Sequence, residues 1–157
     1  MSPNRWGPPI WTFFHTLAEK INEEQFPLVF PPLFEFIKRI CRILPCPDCS
    51  QHATVFLAKV NPAGVKCKND FRNIICIFHN VVNRRKNKPI FNPDALNQVY
   101  GNIGAVSAYN GFVAAFNTKG NMKLLADSFQ RQLVLADFRK WFLTNVRFFL
   151  AQPEKTV

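Results

Sequence analysis

Proline placement constrains this chain more than any other feature. There are 12 prolines in 157 residues. A proline has no N–H to donate and crowds the preceding turn, so it suits the first turn of a helix and breaks its interior. Read as punctuation, the prolines cut the first hundred residues into helix-sized lengths. Pro8-Pro9 should feed a first helix from Ile10 to about Glu24, with Trp11, Phe14, His15 and Ala18 recurring along one face. Pro27 should end that segment, and Pro31-Pro32 should start a second helix to about Leu44, with Leu33, Phe36, Ile37 and Ile40 inward and Pro45 as the stop. Pro47 suits the first turn of a third helix to about Val60. A fourth helix spans about Asn69 to Arg85, packed through Ile74, Ile75, Phe78 and Val82 and closed by Lys88-Pro89. Asn92-Pro93-Asp94 reads as an N-cap followed by proline at the first helical position of a short fifth helix through Tyr100.

Beyond Tyr100 the signals change. Gly101–Gly120 is rich in Gly, Ala and Asn and has no assignable state, whereas about Met122 to Ala151 reads as one long amphipathic helix. Its apolar positions include Leu125, Phe129, Leu133, Phe138, Phe142 and Phe149. Nothing before Gly101 argues for a sheet. The expectation is an all-α chain with four core helices, a short fifth and a helical C-terminal addition. Residues 1–100 would form the functional domain, and 101–157 an extension that packs on it or at a dimer interface. An apolar fraction of 48% with 17 Phe excludes a disordered chain.

The formal net charge of +10 invites anionic partners: nucleic acid, a membrane surface or a phosphate-bearing cofactor. The basic residues are spread along the chain, with one dense run at Arg84-Arg85-Lys86-Asn87-Lys88. No stretch approaches a membrane span and no signal-peptide pattern opens the chain, so a cytosolic protein is expected. An odd count of five cysteines excludes a fully paired secretory framework within one chain.

Chemistry gathers first at Cys46-Pro47-Asp48-Cys49-Ser50-Gln51-His52. Pro47 would put Cys46 at a helix N-terminus, where unpaired N–H groups favour negative charge. Cys49 would lie one turn deeper, sharing a face with His52. An exposed sulfur followed by a sheltered one suits a redox relay; a zinc half-site or two buried thiols fit the same spacing. A second cluster lies on the fourth helix, where His79 and Asn83 share a face beside Asn80. An imidazole and two amides on an apolar helix are costly when unpaired. They imply a polar heteroaromatic or sugar-like ligand, or a buried hydrogen-bond network. The adjoining basic run suits a pyrophosphate.

Taken together, Trp11-x-x-x-His15-x-x-Ala18, Cys46-x-x-Cys49-x-x-His52 and His79-Asn80-x-Val82-Asn83 ending in Lys88-Pro89 resemble the Erv/ALR family of FAD-linked sulfhydryl oxidases. Trp6-Gly7-Pro8 and the compact cysteine motif look most like the branch found in large cytoplasmic DNA viruses. The resemblance covers about residues 5–100. It implies a four-helix bundle with a short fifth helix holding FAD. Carried over by position, Trp11, His15, His52, His79, Asn80, Val82, Asn83 and Lys88 would line the cofactor, and Tyr100 would stack on it. Cys49 would be the thiol beside the flavin and Cys46 the one attacked by substrate. Three departures stand out: Ile74 replaces a usual tryptophan, Pro93 occupies the place of the disulfide partner of Cys76, and no second cysteine pair exists to act as a shuttle.

The implied reaction oxidises protein dithiols and passes the electrons through Cys46–Cys49 to FAD and then O₂, giving hydrogen peroxide. A small redox shuttle protein or client thiols would be the partner, in a homodimeric enzyme of the cytoplasm, or of host cytoplasm and virion for a viral protein. No nucleic-acid or membrane partner is expected on this reading. The competing reading is a zinc-binding basic module in which Cys46, Cys49, Cys76 and His79 hold the metal and the surface contacts nucleic acid.

Overall fold

The computed structural model describes residues 3–116 and 125–150, and among them every regular element is helical. In chain order these are α1 (Pro3–Lys20), α2 (Phe26–Arg42), α3 (Pro47–Ala58), α4 (Lys68–Arg85), α5 (Leu96–Tyr100), α6 (Ala105–Phe116) and α7 (Leu125–Asn145). Single 3-10 turns lie at Pro62–Gly64, Pro93–Ala95 and Val146–Phe149. The all-α expectation holds. No helix among the described residues is long and apolar enough to cross a membrane.

Proline punctuation misplaces two helix starts. α1 begins at Pro3 and carries Pro8 and Pro9 in its interior; α2 begins at Phe26, with Pro27 in its first turn and Pro31 and Pro32 inside. The carbonyls that lose a helical N–H donor to Pro9, Pro31 and Pro32 belong to Arg5, Pro27 and Leu28, all exposed residues open to water. Each break costs about 3 kcal/mol in a helix interior. Burial of Trp6 and Ile10 on α1, and of Phe26, Val29 and Phe30 on α2, offsets it at roughly 2–3 kcal/mol per large side chain. Packing outweighs backbone preference here. The first helix also ends at Lys20 rather than near Glu24, and Asn22 Oδ1 accepts from Gln25 N–H at 2.9 Å in the turn before α2.

α1 is the central element, buried on more than the one face its sequence pattern marks. Phe14, His15 and Ala18 point into the bundle, but Phe13 and Leu17 are also fully covered. α6 and α7 provide that second cover: Phe13 stacks on Phe112 at 4.9 Å and meets Phe138 and Phe142 edge-on. The unassigned stretch Gly101–Gly120 thus contains a helix, with Ala105, Ala108, Tyr109, Phe112 and Phe116 inward. The long C-terminal helix stops at Asn145 and turns, so that Phe148 O accepts from Asn22 N–H at 2.7 Å; Met122 and Ala151 lie outside the described residues. α7 also rests on α2, through Phe36–Phe138 at 5.3 Å and Arg39–Asp137 at 2.7 Å. α1 through α4, α6 and the described part of α7 therefore share one hydrophobic core.

The helices alternate in direction. The start of α1, the end of α2, the start of α3 and the end of α4 meet around one cavity at the same end of the bundle. Far from it, a part-buried ion pair, Arg72 Nε to Glu19 Oε1 at 2.7 Å, ties α4 to α1, and Asn97 adds α5.

Candidate functional site

Pro47 opens α3 and leaves Cys46 as its N-cap in extended backbone (φ −126°, ψ 110°). Its Sγ accepts the Cys49 N–H at 3.2 Å, so the first sulfur sits over the helix start and the second lies one turn on. Both cysteines are half-buried. Ser50 Oγ donates to Cys41 O at 2.8 Å and fastens this turn to the end of α2. All five cysteines are free thiols, with Cys67 at the N-cap of α4 and Cys76 within it.

Cys49 borders an apolar slot of about 460 Å³ that is partly open to solvent, lined by Ile10, Trp11, Phe14, Phe78 and Val82 among others, together with Arg85 and Lys86. A second cavity of about 640 Å³ adjoins it across Gly7, Trp11, Val82 and Lys86 and is far more polar, adding Thr12, His79, Asn83, Lys88 and Tyr100. Together they make a cleft with a greasy inner end at a thiol and a cationic outer end. Trp6 borders the slot, is 4% exposed, and its indole N–H has no partner among the described residues. An unmade buried hydrogen bond costs roughly 1–3 kcal/mol, so this donor suits an acceptor held in the slot.

A rank of rings forms the wall of the outer cavity. Trp11 stacks on His79 at 4.2 Å and 8°, and His15 Nε2 lies 2.9 Å from His79 Nδ1. His15 in turn stacks on Tyr100 at 4.3 Å and 9°. Burial, with the neighbouring His79, lowers the His15 pKa to about 3; burial, with Lys88, lowers that of His79 to about 4. Both rings are neutral near pH 7, so one ring N–H can donate to the bare nitrogen of the other. At Cys49, burial pushes the thiol up, and the hydrogen bond and charge of Cys46 push the same way; Lys86 and Arg85 pull it only partly back.

Lys88 is aimed by a helix ending. Asn87 adopts the left-handed conformation (φ 56°) just past α4. Lys88 N–H then returns to Asn83 O at 2.8 Å and Asn87 N–H to Arg84 O at 3.2 Å. Asparagine fills the place where glycine is commonest, because its short polar side chain tolerates that geometry.

Of the residues expected from sequence to line a cofactor, Trp11, Cys49, His79, Val82, Asn83, Lys88 and Tyr100 border the two cavities. His15 is buried behind them and touches His79 and Tyr100. Asn80 turns away and clamps a loop, donating to Phe91 O at 2.9 Å and accepting Phe91 N–H at 2.8 Å. His52 borders neither cavity: its side chain is 53% exposed and faces Asp48 at 3.5 Å. The slot walls Trp6, Ile10, Phe14 and Phe78 were not expected from sequence: Ile10, Phe14 and Phe78 carry only apolarity, the same signal that marks core, and Trp6 stood out only within Trp6-Gly7-Pro8.

The zinc set does not assemble. Cys76 is buried against Leu96 and Tyr100, away from the Cys46–Cys49 turn, and His79 is engaged by His15. Among the described residues no three His, Cys, Asp or Glu side chains are grouped to hold a metal.

The chain is 32% identical over 97 residues to FAD-linked sulfhydryl oxidase ERV1 of Oryza sativa subsp. japonica, covering 62% of this chain and 50% of that protein. It is 29% identical over 96 residues to putative FAD-linked sulfhydryl oxidase 347L of Invertebrate iridescent virus 6, covering 57% and 86%. To an FAD-linked sulfhydryl oxidase of African swine fever virus it is 30% identical over 95 residues, covering 60% and 79%. The chain spans about half the length of the plant relatives it matches. A model of the Erv1 / Alr family matches residues 8–101, the stretch that carries the cysteine turn and all of the two cavities' lining except Trp6 and Gly7, and the chain belongs to the Erv1/Alr family.

Proposed function

We propose that this chain is an FAD-dependent thiol oxidase that makes disulfides in protein substrates. The observation that carries the reading is Cys49 at the inner end of an apolar slot that opens into a cationic cavity. Those residues fit FAD: the slot suits a planar tricyclic ring, Trp6 N–H offers it a donor, and Lys86, Lys88 and Asn83 suit the pyrophosphate and sugar. Trp11, His79 and Tyr100 offer ring faces to the adenine. Relatives from rice and from two virus groups bear the name FAD-linked sulfhydryl oxidase.

When bound, FAD accepts two electrons and delivers them to O₂ as hydrogen peroxide. The protein's own steps are thiol exchange. A substrate thiolate attacks Cys46 Sγ of the oxidised Cys46–Cys49 pair, forming a mixed disulfide and releasing Cys49 as thiolate. The second substrate thiol then attacks its own sulfur in that bond, leaving as disulfide and freeing Cys46. The pair has gained two electrons and the substrate has lost two. Cys46, at the helix N-cap and outside the slot lining, is the sulfur left for the substrate. Cys49 is held against the slot, where Lys86 and Arg85 offset part of the cost of its charge.

The reading extends to a homodimer, supported by exposed Phe129 and Leu133 one turn apart on α7. It also includes a cytoplasmic setting and a small redox protein or client thiols as reductant. Chemistry lies in residues 1–100, with 101–157 as packing complement. Purified protein should oxidise dithiothreitol with peroxide formed mole for mole. Cys46→Ser and Cys49→Ser should each abolish turnover and retain flavin. Wild-type turnover in either variant would remove the cysteine pair from the mechanism.

A further inference from the structure

Cations crowd the end of the bundle where Cys46 emerges. Slot-lining Trp6, Leu44, Arg85 and Lys86 fix the place of that end, and Arg5, Arg42 and Arg84 each lie within two residues of one of them. Lys88 borders the adjoining cavity. Against these six positive charges the only acid within residues 3–11, 39–53 and 82–91 is Asp48, which faces His52 at 3.5 Å. A bound dinucleotide has two phosphates, too few to neutralise the collar, and Lys86 and Lys88 in the polar cavity would be the residues to hold them. Helix ends explain part of it: Arg42, Arg84 and Arg85 lie in the last turns of α2 and α4, where cations are favoured. Arg5 has no such reason. It lies in the first turn of α1, the end of a helix that disfavours positive charge, and is exposed there.

We infer that this basic collar receives the substrate, and that the substrate is a protein thiol flanked by a carboxylate-rich segment. This deepens the oxidase reading and rests on it. A thiol-bearing protein is favoured over nucleic acid because the collar lies at the end of the bundle that holds the Cys46–Cys49 turn, which a substrate thiolate must reach, and a nucleic acid brings no thiol. Opposite charge at such a site raises encounter rates by about ten- to a thousandfold, an effect that fades with salt.

The test uses the flavin-loaded full chain and two peptides with the same cysteine pair, one flanked by Glu and Asp and the other by Lys and Arg. At low ionic strength kcat/KM should favour the acidic peptide by about tenfold or more. Near 1 M salt, where the screening length falls to about 3 Å, the preference should largely vanish. The double variant Arg5→Glu with Arg42→Glu should erase or reverse the preference, with dithiothreitol turnover and flavin content unchanged. The salt series on the wild type gives an answer even without a folded variant. Turnover of dithiothreitol with equal rates on the two peptides overturns this inference alone; no turnover of dithiothreitol overturns the oxidase reading and this with it. Equal peptide rates together with an oligonucleotide bound by the wild type and lost in the double variant would reassign the collar to nucleic acid.

Discussion

His15 and His79 set the character of the site at the scale of single residues. Each is held neutral by burial, and together they connect α1, α4 and α5 through one hydrogen bond and two ring stacks. Their titration has a consequence for stability. In the unfolded chain both protonate near the ordinary value of 6.5, while in the fold His15 waits until about 3 and His79 until about 4. Between these limits the unfolded state holds more protons, so stability rises with pH up to about 6.5 and then levels. Each histidine contributes up to about 1.4 kcal/mol per pH unit in that window. Urea unfolding between pH 5 and 6.5 should show this slope, above the range where ordinary carboxylates titrate; a flat curve would show that the pair is not buried as described. Much of this site was legible in the sequence, because helical spacing puts Trp11, His79 and Asn83 on faces that converge. Spacing does not say which neighbour takes up a side chain. Asn80 therefore went to the Phe91 backbone, and His52 to solvent.

At the scale of elements, α6 and α7 carry the lesson that an apolar stripe reports burial without naming the partner. Phe13 and Leu17 gave no signal distinct from the first face of α1, yet they are the surface that the C-terminal helices cover. The Ala- and Gly-rich run that forms α6 has weak periodicity on a scale of hydrophobicity; its helix is secured by Phe112 and Phe116, both fully buried. The prolines misled for a related reason. Their cost is local and fixed, whereas the burial that overrides it depends on elements far along the chain. Phe112→Ala should therefore cost about 3–5 kcal/mol in denaturant unfolding, because the ring stacks on Phe13 at 4.9 Å with no solvent to fill its place. Folded protein of this variant should still bind flavin, since Phe112 borders neither cavity. A loss below 1 kcal/mol would mean that α6 is not packed on α1 as described.

The whole molecule is a bundle with its chemistry at one end and its C-terminal helices laid along α1 and α2. That arrangement leaves Phe129 59% and Leu133 45% exposed on α7. Light scattering should accordingly give twice the mass of one 18.1 kDa chain, and a monomer would remove the dimer from the reading. The central claim is narrower: Cys49 delivers electrons from dithiols into a cofactor held in the slot it faces. The most direct measurement is anaerobic visible absorbance of the purified chain on addition of dithiothreitol. The expected result is a flavin band that bleaches in the wild type, returns on admitting air, and persists unbleached in Cys49→Ser with equal flavin content. A colourless wild-type protein that cannot be loaded with FAD, or equal bleaching in Cys49→Ser, would contradict it.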